Sequence, residues 1–66
     1  MIEIAFNGQK FIVEKDISLA DFLKNKLPEG KFAIDVDMEV VPRSSYEVFI
    51  LKNGMKIEAI TFVGGG

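Results

Sequence analysis

MIEIAFNGQKFIVEK, residues 1–15, reverses direction in its middle. Ile2, Ile4 and Phe6 alternate with Glu3 and Ala5, the period of a half-buried strand. Asn7-Gly8 follows, the dipeptide that best accepts the positive φ angles of a tight hairpin turn. Phe11 and Val13 continue the alternation on the returning strand. The chain therefore opens with a β-hairpin.

The period then changes. In DISLADFLKNKLPEG, Leu19, Phe22, Leu23 and Leu27 fall at helical spacing on one face. Ser18 is a good N-cap, and Asp21 three residues on resembles a capping box and suits the positive end of the helix dipole. Lys24 and Lys26 sit near the expected helix end, which Pro28 and Gly30 close.

Strand chemistry returns after Gly30. Phe32 to Val36 is one candidate strand and Met38 to Val41 a second, ended by Pro42, which cannot donate to a ladder. Ser44 or Ser45 is expected to cap a single helical turn through Tyr46 and Glu47. Asn53-Gly54 is another turn signal. Lys56 to Val63 is the last strand, with Ile57, Ala59, Thr61 and Val63 on one face and Glu58, Ile60 and Phe62 on the other.

Hairpin, helix, short strands and final strand form an α+β order. One helix cannot cover two sheets, so a single mixed sheet of four to five strands should curl around it. The last strand can then lie parallel beside the first, which is the β-grasp or ubiquitin-like arrangement. Residues 1–63 form the expected domain, and residues 64–66 a flexible glycine tail.

The composition excludes a good deal. The 66 residues carry a net charge of −2 and contain no cysteine and no histidine. Disulfides, Cys- or His-based metal sites and a thiol or Ser-His nucleophile are unavailable. The modest negative charge argues against nucleic acid, and no apolar run approaches a membrane span or a signal peptide. A cytoplasmic protein with no catalytic residues of its own is expected. Asp35, Asp37 and Glu39 alternate and would share one strand face. A solvated face is preferred there to a cation site.

Two features point outward. Ile60 and Phe62 would form a docking patch if the sheet leaves their face uncovered, whereas a strongly curled sheet would bury them. The second feature is the ending TFVGGG. Three terminal glycines arise by chance in about 0.03% of chains. A cloning remnant or a floppy end does not explain why they follow a well-patterned strand directly. Extended, they reach roughly 10 Å and pass where no Cβ fits. At the tip stands a carboxylate, ionised at neutral pH.

With these features the chain resembles the ThiS family, the sulfur carrier proteins of thiamine biosynthesis. The resemblance runs over essentially the full length. It rests on Phe6-Asn7 and their turn, the short helix, Val41-Pro42-Arg43 with the Ser/Tyr turn after it, the Leu51–Gly54 turn, the IEAITFV strand and Gly65-Gly66. Asp37-Met38 departs from the family's Asn-Gly-like turn, and methionine disfavours positive φ, which points to a local turn of another kind.

The resemblance implies that an adenylating enzyme of the ubiquitin-activating type (ThiF-like) uses MgATP to turn the Gly66 carboxylate into an acyl adenylate. Sulfur from a donor such as a cysteine desulfurase then makes a C-terminal thiocarboxylate, which a thiazole synthase (ThiG-like) consumes. The carrier itself binds no cofactor and no metal. Gly66 carries the reactive group, Gly65 and Gly64 are the thread, Phe62 and Ile60 are docking contacts, and Arg43 is a weaker docking candidate. The glycine pair is shared with ubiquitin and with the small subunit of molybdopterin synthase. A MoaD-like carrier and a ubiquitin-like modifier or binding module are therefore the rival readings.

Overall fold

The computed structural model describes residues 1–27 and 30–62. The expectations for Pro28, Val63 and the three terminal glycines lie outside the described residues. Strands β1 (Ile2–Phe6) and β2 (Gln9–Val13) form the opening hairpin, followed by helix α1 (Leu19–Leu23). Strands β3 (Phe32–Val36) and β4 (Glu39–Val41), a 3-10 turn (Arg43–Ser45) and strand β5 (Lys56–Thr61) complete the order. The five strands form one sheet in the order β2-β1-β5-β3-β4. The last strand thus lies at the centre, parallel to β1 and antiparallel to β3.

A turn over Lys52–Met55 delivers β5 to that place. Gly54 adopts φ +88, a conformation that a side chain would oppose. The Asn53 side-chain oxygen accepts from the Glu3 N–H at 2.9 Å, and the Gly54 N–H donates to the Glu3 carbonyl at 2.8 Å. The Ala5 N–H then donates to Met55 and the Asn7 N–H to Ile57, so the parallel ladder follows from this one turn.

The core lies between the sheet and α1. Ile4, Phe6, Ile34, Val36, Val41 and Ile57 face Leu19, Phe22, Leu23 and Leu51, all buried. Burial of each such side chain contributes about 1.5–3 kcal/mol. Phe6, Phe11 and Phe22 meet edge to face, with centroids 5.5–6.3 Å apart. The Lys26 ammonium lies 4.7 Å from the centre of the Phe22 ring. That contact covers the aromatic cluster with a cation whose stem is apolar.

The helix is shorter than its apolar spacing predicts. It ends at Leu23, Asn25 takes φ +66, and Leu27 is 44% exposed instead of joining the buried face. Five residues cannot hold a helix alone, so partners elsewhere must hold its free N–H groups. Leu19 donates to the Phe49 carbonyl at 2.7 Å and Ala20 to that of Tyr46 at 2.9 Å. Asp21 N–H donates to the Ser18 hydroxyl at 3.1 Å, as the N-cap reading expects. The Asp21 carboxylate pairs with Lys24 at 3.3 Å.

Residues 31–47 bring further corrections. β4 begins at Glu39, not Met38, because Asp37 and Met38 form a two-residue turn between the paired Val36 and Glu39. Both turn residues have positive φ, +51 and +73, the same geometry as Asn7 (+50) and Gly8 (+81). The expected difference in turn type is absent, and methionine occupies the disfavoured conformation. This turn also removes Asp35, Asp37 and Glu39 from a common strand face. The helical turn begins at Arg43, after Pro42, without a serine cap.

Candidate functional site

β5 leads to the glycine tail, and its last described residues carry the candidate site. Two side chains fix its course. Asn7 and Asp37, each the first residue of its turn, flank β5 on opposite sides. The Asn7 side-chain oxygen accepts from the Ala59 N–H at 2.9 Å, and an Asp37 oxygen accepts from the Lys56 N–H at 3.0 Å. The Asp37 N–H returns a bond to the Lys56 carbonyl at 2.8 Å. A shared amide or carboxylate geometry thus extends the ladder where the neighbouring strands turn away. On the β3 side, Phe32 stands opposite Thr61, and the Phe62 N–H donates to the Lys31 carbonyl at 3.1 Å.

The two faces of this strand end differ. Ile57 is buried and Ala59 half-buried toward the core, while Glu58, Ile60 and Phe62 stand on the open face. Ile60 is 44% exposed and Phe62 60%. Ala33 lies opposite Ile60, and Asp35 opposite Glu58 further back. The open face is therefore apolar toward the tail and acidic behind it.

Arg43 does not join Ile60 and Phe62. Its guanidinium lies over the Phe32 ring, 5.2 Å from the centroid. Phe32 shares its face with Thr61 and the core residue Ile34, so Arg43 approaches the strand end from the helix side. Tyr46 packs against the same core edge. Burial pushes its phenol above the ordinary tyrosine range, and the nearby Arg43 charge pulls the other way. Phe32 was legible only as a strand residue, because no local pattern signals a ring that seats an arginine from eleven residues away. Gly64, Gly65 and Gly66 lie outside the described residues.

Among the described residues no cavity opens and no three acidic groups gather as a metal site would require. Among them, too, no helix is long and apolar enough to cross a membrane. What is left is a surface around a strand end: an apolar pad on one side and an arginine on the other.

Comparison with known proteins gives this arrangement a family. The model of the ThiS family matches residues 2–66. This chain belongs to the ThiS family of sulfur carriers. The crystal structure of a thiamine biosynthesis protein (ThiS) from Geobacter metallireducens superposes with a TM-score of 0.83 at 20% identity, over 98% of this chain and all of that one. An NMR solution structure of a thiamine biosynthesis protein from the same organism gives 0.70 at 22% identity, covering 98% of this chain and 88% of the other. At such identities the likeness establishes the shared fold, a five-stranded β-grasp sheet. A curated relative, a thiazole synthase of Paramagnetospirillum magneticum, is 42% identical over 36 residues. That match covers 54% of this chain but only 11% of the synthase, so the chain spans a small part of the relative's length.

Proposed function

We propose that the chain carries sulfur for thiazole formation as a thiocarboxylate on Gly66. A partner adenylating enzyme first joins the Gly66 carboxylate to AMP from MgATP, with loss of pyrophosphate. A free carboxylate is a poor electrophile, and AMP supplies the leaving group. The terminal persulfide sulfur of a donor such as a cysteine desulfurase then attacks the acyl carbon and expels AMP, and a thiol reductant cleaves the S–S bond of the resulting acyl disulfide to leave the thiocarboxylate. Free sulfide reaches the same product in one displacement. A thiazole synthase takes the sulfur onward. Gly64 and Gly65 thread the narrow channel, bound through backbone hydrogen bonds, and Ile60 and Phe62 dock. The chain supplies no catalytic group and no cofactor, and the chemistry runs in the cytoplasm, where MgATP is available.

The observation that carries this reading is the family match, which extends through Gly66 and so includes the glycine ending. The thiazole synthase relative favours the thiamine pathway over a molybdopterin one. A stretch similar to this chain lies inside a protein named for thiazole synthesis, which supports a working contact between the two components.

The test is intact mass after incubation with the adenylating enzyme, ATP and a sulfide source. The expected product is heavier by the difference between one sulfur and one oxygen atom. Deletion of Gly66 or Gly65→Trp should abolish that gain without unfolding the domain. An unchanged mass with partners active on their own carrier counts against the reading. Recovery of the molybdopterin synthase large subunit in place of thiazole synthase would move it to the other pathway. Conjugates to target lysines would indicate a modifier.

A further inference from the structure

We infer that Arg43 is a docking cation that pairs with a carboxylate on the rim of the adenylating enzyme's channel, so that the enzyme grips the root of the tail from both faces of β5. The inference rests on the carrier reading and names the partner chemistry on its second side.

Position comes first. Phe32 and Thr61 form the last register pair of the central strand, and Arg43 is seated on Phe32. Stacking on a ring restrains the long side chain while leaving the guanidinium edge able to form two parallel bonds to a carboxylate. Arg43 is exposed, and among the described residues it makes no ion pair; the pairs found there are Lys10–Glu3 and Lys24–Asp21.

Charge points the same way. The chain as a whole carries −2, yet its strand end presents Arg43 together with the exposed Lys31, whose carbonyl holds Phe62. The acidic pair Asp35 and Glu58 lies further back, on the other face. A partner rim bearing carboxylates is attracted to the tail root more than to the rest of this acidic surface.

Reach decides between a docking and a chemical role. A tail drawn straight into a channel places Gly66 about 13 Å beyond Phe62. Arg43, fixed at the root, cannot touch the acyl carbon or the phosphates of ATP that meet it. Its partner is a group at the channel mouth, and its effect falls on binding and not on turnover.

ATP–pyrophosphate exchange by the ThiF-type adenylating enzyme of the same organism, measured against carrier concentration, tests this. Arg43→Gln should raise KM for the carrier about tenfold at low salt and leave kcat within about twofold. Arg43→Lys should recover part of the loss. The wild-type KM should climb several-fold between about 50 and about 300 mM NaCl, and the Gln variant should lose most of that dependence. A Gln variant with wild-type KM overturns the inference, and so does one that loses only kcat. If Arg43→Gln unfolds by circular dichroism, the salt series on the wild type decides alone: a flat KM sinks the ion pair. Absence of exchange with the wild-type chain, from an enzyme active on another carrier, sinks the carrier reading instead and the inference with it.

Discussion

Two turns flank the central strand, and they share a geometry but not a composition. Asn7-Gly8 and Asp37-Met38 each place two consecutive residues at positive φ, and each sends a side-chain oxygen to a backbone N–H of β5. The first uses the residues that this backbone favours. The second puts a methionine, 91% exposed, where a Cβ is opposed by the following carbonyl. Met38 makes no compensating burial. The turn is set by what surrounds it: Val36 must pair with Ile57 on one side and Glu39 on the other, and Asp37 must reach Lys56. Register thus overrides local preference at one turn and agrees with it at the other.

The largest effect should come from removing the shared element. Asn7→Ala loses the acceptor for Ala59 and the tolerance of positive φ together, and should lower unfolding free energy by about 2 kcal/mol in urea titrations. A loss below a few tenths would mean that the bond to β5 contributes nothing net. The second position of each turn gives a smaller, opposed pair. Met38→Gly should stabilise by about 1 kcal/mol and Gly8→Met destabilise by about as much, read as shifts in urea midpoint at constant slope. Equal responses of one sign would break the equivalence of the turns.

The smallest effect concerns pH, away from both turns. With no histidine, stability should be nearly flat across neutrality. Tyr46 has its folded pKa raised above the ordinary value of 10.0, chiefly by burial. The folded state therefore holds the phenol proton more tightly. That contribution is complete below the unfolded pKa and disappears as pH rises through the folded one. Stability should fall in the alkaline range, and Tyr46→Phe should reduce the fall. An identical alkaline profile for the variant would remove Tyr46 as its source.

Much of the fold was readable before any coordinates. The alternation of Ile2, Ile4 and Phe6, the Asn7-Gly8 turn, the Ser18 cap and the two faces of residues 57–62 all stand in the structure as their periods predict. The site was readable in part. Ile60 and Phe62 could be assigned to one face, but whether that face was covered depended on where the helix lay. Arg43 could be named but not placed, since its seat on Phe32 depends on how β3 and the 3-10 turn meet.

The sequence by itself determined which residues alternate, where the chain prefers to reverse and which chemistry is unavailable, because these follow from side-chain period, backbone preference and composition. Only the tertiary structure decided that so short a helix is held at all, since the carbonyls of Tyr46 and Phe49 that hold its first N–H groups come from more than twenty residues away. It alone decided that Met38 turns like a glycine, because the pairing of β3 with both its neighbours leaves the chain no other path. Local signals report what a segment prefers, and the partners that accept its hydrogen bonds and cover its faces decide which preference prevails.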